Sequence, residues 1–166
     1  MDTYLLLSVL AAIGTSLYLF LDITKDAYSA ICWYFLRKTV TDQVVKEVIH
    51  FSRDILIQKG VETLPSYILS QESSKYMGSF DGSLIIVYVN NQSSLKDLIE
   101  TSLHEIAHYL QKHTNANEFD KYEELTREYG YKKNPLEIEA QRFARLWRRP
   151  CKEYLYAKGV IPGSLL

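Results

Sequence analysis

Residues 102–111 read SLHEIAHYLQ, which sets His104 and His108 four positions apart with Glu105 beside the first. On an α-helix, residues i and i+4 leave the same face one turn apart, so both imidazoles can aim at one point. A zinc ion takes nitrogen ligands at about 2.0–2.1 Å, a distance two such imidazoles can meet together. Glu105 is turned by about 100° around the helix from His104, so it does not compete as a ligand. It is placed instead to take a proton from water as that water attacks a carbonyl. The same residues would also suit an ordinary helix carrying two histidines and a solvated glutamate. A third ligand separates the two readings.

A catalytic zinc site uses three protein ligands and keeps one position open. His113 is the nearest further histidine. It falls one residue short of the H-E-x-x-H-x-x-G-x-x-H spacing, and position 111 is Gln rather than Gly. The stretch NPLEIEAQRFA offers Glu137 and Glu139 near the start of the next long helix. These two lie about 200° apart around a helix, so only one can face the motif helix. Glu139 is in register with Leu136, Ala140 and Phe143, and Ala140 is small enough to permit close helix approach. This register selects Glu139 as the third metal ligand and leaves Glu137 as a solvated first-turn carboxylate.

Several elements must position these residues. Ser93 or Ser94 can cap a helix whose apolar stripe is Leu95, Leu98, Ile99, Leu103, Ile106 and Leu110. Asn134-Pro135 opens the last long helix, which should run to Pro150. Before the motif, Val44, Val45, Val48, Ile49 and Ile55 mark a helix that ends near Gly60. SYILSQE, KYMGSFD and SLIIVYVN then read as three strands, with Asp81-Gly82 as a hairpin turn. The third strand is apolar on both faces and should be the best buried. The plan is α+β: a small antiparallel sheet packed against an active-site helix and a second ligand-bearing helix.

HEIAHYLQ followed about thirty residues later by EIEAQRFA resembles the gluzincin zinc peptidases, especially short forms similar to the ImmA/IrrE family. The resemblance covers roughly residues 60–149. It implies that His104, His108 and Glu139 hold zinc, that Glu105 is the catalytic base, and that a peptide or protein substrate binds as an extended strand at a sheet edge. Residues 84–90 are the preferred edge. Larger gluzincins carry an Asp four residues after the ligand Glu, where this chain has Phe143.

With 166 residues, the chain has room for one domain with a real core. A formal charge of −1 gives no general pull toward nucleic acid, and none is expected as a partner. Cys32 and Cys151 are too few and too far apart for a disulfide framework or a thiolate metal site. Residues 4–21 carry no charge, close to the roughly 20 residues that span a bilayer. Trp33, Tyr34 and Phe35 beside Arg37 and Lys38 suit an interfacial anchor. The division expected is an apolar segment over 1–39, touching the membrane through residues 4–36, and a zinc metallopeptidase-like domain over 40–166. The basic residues after the segment would leave that domain on the cytoplasmic side. The segment could equally be a hairpin packed against the domain or against protein assembly partners. In that case the chain would be a cytoplasmic protein, or a non-catalytic subunit with a vestigial site. A further basic stretch, Arg142, Arg145, Arg148, Arg149 and Lys152, would contact an anionic partner or form a solvated helix face.

Overall fold

The computed structural model describes residues 41–162, so the 1–39 segment lies outside the described residues. The described chain is α+β, as expected. It runs helix α1 (helical from residue 41 to 58), β1 (Ser66–Ser70), β2 (Gly78–Phe80), β3 (Leu84–Tyr88), α2 (Leu95–Thr114), α3 (Ala116–Phe119), α4 (Tyr122–Tyr129) and α5 (Pro135–Ala157). No helix among the described residues is long and apolar enough to cross a membrane.

α1 stops where the sequence says it should. Gly60 adopts φ +79°, and the Val61 N–H reaches back to the Leu56 carbonyl at 2.9 Å, the bond that closes a glycine-terminated helix. Ser94 caps α2 by accepting from the Asp97 N–H. The expected α2 stripe is buried except for half-buried Leu110. It meets Val44, Val45 and Val48 of α1, Ile85 and Val87 of β3, and Ala144, Cys151 and Leu155 of α5 in one core. Removing one such side chain, as in Leu103→Ala, costs about 2–5 kcal/mol.

The sheet is mixed rather than antiparallel, which corrects the expectation. Its order is β1-β3-β2, with β1 parallel to β3 and β2 antiparallel to it. The Asp81-Gly82 turn does join β2 to β3, the Asp81 carboxylate accepting from the Ser83 and Leu84 N–H groups. What the local pattern misses is the excursion of residues 71–77, which carries the chain past β3 to its far side. Side chains following β3 hold it there. Asn90 donates to the Gln71 carbonyl at 2.7 Å, Asn91 to the Ser74 and Tyr76 carbonyls, and buried Gln92 to the Met77 carbonyl at 2.7 Å. β3 is the best buried strand, as expected. For the same reason residues 84–90 cannot be the free edge, because β3 is paired on both sides. Among the described strands the edges are β1 and β2.

α5 also departs from its expected end, continuing through Pro150 to Ala157. Proline removes one backbone donor and normally breaks a helix interior. Here the residue four back, Leu146, is on the exposed face, where water can serve its carbonyl, and buried Cys151 and Leu155 anchor the last two turns.

Candidate metal centre

His104 and His108 leave α2 on the face turned toward β2 and the start of α5. Their Nε2 atoms are 3.1 Å apart, and each lies 3.2 Å from one oxygen of the Glu137 carboxylate. Neighbouring donors in a tetrahedral shell with bonds of about 2.0–2.1 Å stand about 3.3 Å apart. The His2Glu donor set and its spacing therefore fit a tetrahedral divalent cation, and these residues form the group of possible metal ligands among the described residues.

The carboxylate in this position is Glu137, not Glu139. Glu139 is exposed, and one of its oxygens accepts from Gln111 at 2.8 Å. The expected inward face of α5 was Leu136, Ala140 and Phe143. The face that meets α2 is centred on the small residues Ala140 and Ala144, both fully buried, and Phe143 sits at its flank, half-buried and 6.4 Å from the Trp147 ring. Ala140 does permit close approach, as expected, but it is Ala144 rather than Phe143 that shares its contact with α2. Glu137 shares the side of Ala140 and Ala144; Glu139 is on the other side of the helix.

The start of α5 is fixed by Asn134, which is fully buried. Its Oδ1 caps the Leu136 N–H at 2.9 Å, and its Nδ2 donates to the Thr126 hydroxyl at 2.9 Å and the Tyr122 carbonyl at 3.3 Å. One side chain thus ties α4 to the first turn of α5. That tie brings the Tyr122 hydroxyl 2.5 Å from Glu137, to which it donates. Burial works against the Glu137 charge, but the bonds from His104, His108 and Tyr122 outweigh it and hold the carboxyl well below the usual carboxylate range. Tyr122 is correspondingly raised, by burial first and then by Glu137.

His108 is oriented from its other nitrogen. Its Nδ1 lies 2.8 Å from the Gln111 Oε1, while the Gln111 Nε2 faces two acceptors, the Leu136 carbonyl at 3.0 Å and Glu139 at 2.8 Å. Both amide hydrogens are committed to these acceptors, so Oε1 must accept from the His108 Nδ1–H. Nε2 is then the nitrogen with a free lone pair toward Glu137 and His104, as metal binding requires. Without a cation, that lone pair is free to take a proton. Burial disfavours charge on His108, yet Glu137, Glu105 and Gln111 together raise its pKa. Metal binding must displace this proton, so affinity should rise with pH.

Glu105 is 5% exposed and lies against Gly78 of β2, where a Cβ would fall 2.8 Å from its Oε1 and 2.6 Å from the Thr101 methyl. Burial raises its pKa to about 7, with His104 and His108 opposing. A nearby dication would draw it back down. His104, Glu105, His108 and Glu137 open into a cavity of about 610 Å³, whose opposite wall is β2 and its turn, Gly78 to Gly82. His113 takes no part: its Nδ1 lies 2.9 Å from the Tyr109 carbonyl and its ring lies on Tyr109.

Sequence reasoning thus brought His104, Glu105 and His108 together, set Glu137 aside as a solvated carboxylate in favour of Glu139, and assigned nothing to Gln111 or Tyr122. The Ala140–Ala144 pair was the available signal for Glu137. Nothing local marks Tyr122, which arrives through the Asn134 tie. Compared with protein-family models, with curated proteins and with solved structures, the chain found no match.

Proposed function

We propose that this protein is a zinc-dependent metallopeptidase of gluzincin type, in which His104, His108 and Glu137 hold the metal and Glu105 is the general base. The observation that carries this reading is the spacing of the three ligand groups, 3.1–3.2 Å between facing donor atoms, with a buried carboxylate beside them and a cleft in front. Zinc, when bound, would polarise the scissile carbonyl and acidify water. Glu105 would accept the water's proton on its carboxylate and pass it to the departing amine nitrogen. The substrate would lie extended along β2, the edge strand that walls the cleft, adding backbone hydrogen bonds as a further strand. Tyr131, which lines the cleft beside His104 and Glu137, would donate to the developing oxyanion. The uncharged run 4–21 would tether this domain to a membrane, on the cytoplasmic side.

The test is metal content and turnover. Purified wild type should hold about one zinc per chain, His104→Ala and Glu137→Ala should lose it, and Glu139→Ala should keep most of it. Glu105→Gln should bind zinc and cleave nothing. A wild type that takes up no zinc on incubation would overturn the reading. Zinc uptake with no cleavage across a diverse peptide pool would leave the metal centre as a structural feature of a non-catalytic subunit.

A further inference from the structure

The basic stretch along α5 divides in two in three dimensions. Arg148 bonds Glu100, and Arg149 bonds Glu153 at 3.0 Å. Arg142 and Arg145, one turn apart on the exposed side of α5, join no carboxylate in an ion pair among the described residues, and neither does Lys132. These three cations come together in a cavity of about 520 Å³ that also contains His104, Tyr131, Glu137 and Ile138. His104, Tyr131 and Glu137 also line the larger cavity in front of β2. The basic cavity is therefore a continuation of the same cleft past His104, away from Asp81, Asp120 and Glu123 at the other end.

Three exposed cations that line one concavity repel each other, and their fields add within it. Glu137, the one carboxylate in that wall, is committed to His104, His108 and Tyr122. A zinc ion would add two further positive charges. Ile138, 37% exposed, supplies an apolar floor. An anion with a short aliphatic stem suits this chemistry, and arginine recognises a carboxylate through paired N–H donors.

We propose that the cavity lined by Lys132, Arg142 and Arg145 is a subsite for a carboxylate of the substrate, next to the metal centre. This rests on the peptidase reading and names the substrate class: peptides with an acidic side chain, or their own terminal carboxylate, close to the scissile bond. The other end of the cleft contributes Asp81 and Glu123, so the bound peptide has a defined polarity.

The test uses the full chain carrying Glu105→Gln, loaded with zinc, so that binding is read without turnover. The probes are acetylated alanine hexapeptides at low ionic strength. One series carries a single Glu or its isostere Gln at each position, with the C-terminus amidated. The other series has no Glu and a free or amidated C-terminus. At one or more positions Glu should bind at least ten-fold more tightly than Gln, or the free acid more tightly than the amide; which series responds identifies the source of the carboxylate. The preference should fall below two-fold when Arg142→Gln and Arg145→Gln are added, while zinc content stays at one per chain. Equal affinity for charged and neutral peptides would overturn the inference alone, as would a preference that survives loss of both arginines. Binding of no peptide by zinc-loaded protein would overturn the peptidase reading and the inference with it.

Discussion

Gln111 Oε1 lies 2.8 Å from His108 Nδ1, and the direction of that hydrogen bond is settled by what Gln111 does with its nitrogen. Because Leu136 and Glu139 take both amide hydrogens, His108 must present Nε2 to the candidate metal position. Glu139, the residue the sequence suggested as a ligand, stands two hydrogen bonds from His108, through Gln111. Replacing Gln111 by Leu should weaken zinc binding about 10- to 100-fold, the usual cost of losing such an orienting partner. Glu139→Gln should cost less, since the main-chain acceptor at Leu136 remains. Competition against a chromophoric chelator measures both, and equal affinity of Gln111→Leu and wild type would contradict the orienting role.

Glu105 links the stability of the metal-free protein to pH. Its pKa is raised from 4.5 to about 7 in the folded chain, mainly by burial. The folded state therefore holds this proton more tightly than the unfolded state, and stability is lost as pH rises from about 4.5 to about 7, then levels off. Glu105→Gln carries no such loss. The variant should match wild type near pH 4.5 and exceed it by up to about 3 kcal/mol above pH 7. Denaturant unfolding of the metal-free proteins at both pH values tests this; a constant difference between them would contradict it.

Gly78 lets β2 lie directly on α2 at Glu105. A methyl group there would meet Thr101 at 2.6 Å and Glu105 at 2.8 Å, closer than real Cβ contacts allow. Gly78→Ala should cost about 1–3 kcal/mol of stability, typical of overpacking. It should lower kcat more than it alters zinc content, because it displaces Glu105 and the substrate edge but not the histidines. Unchanged turnover would show that β2 does not border the reacting groups.

Asn134 is a single buried side chain with three hydrogen bonds joining α4 to α5. Asn134→Ala removes a helix cap and leaves the half-buried Tyr122 carbonyl and Thr126 hydroxyl without their partner, which should destabilise by about 1–3 kcal/mol. Since the same tie places Glu137 and Tyr122, zinc affinity should fall as well, even under conditions where the variant remains folded. Calorimetry with and without zinc separates the two effects.

Much of this was legible locally. The helical spacing of His104, Glu105 and His108, the Ser94 cap, the Asn134-Pro135 helix start and the Asp81-Gly82 turn all depend on residues within a few positions of one another, where helix and turn geometry leave little freedom. The α+β plan followed from the same patterns. The tertiary structure alone decided three things. The side chains of Asn90, Asn91 and Gln92 hold the 71–77 excursion and make the sheet mixed, with β2 rather than β3 at the edge. The small faces of Ala140 and Ala144 set how α5 rotates against α2, and that rotation brings Glu137 inward. The same rotation leaves Arg142 and Arg145 to the cleft while Arg148 reaches Glu100 of α2. Each of these depends on which surfaces approach most closely, a property of pairs of elements that periodicity within one element does not carry.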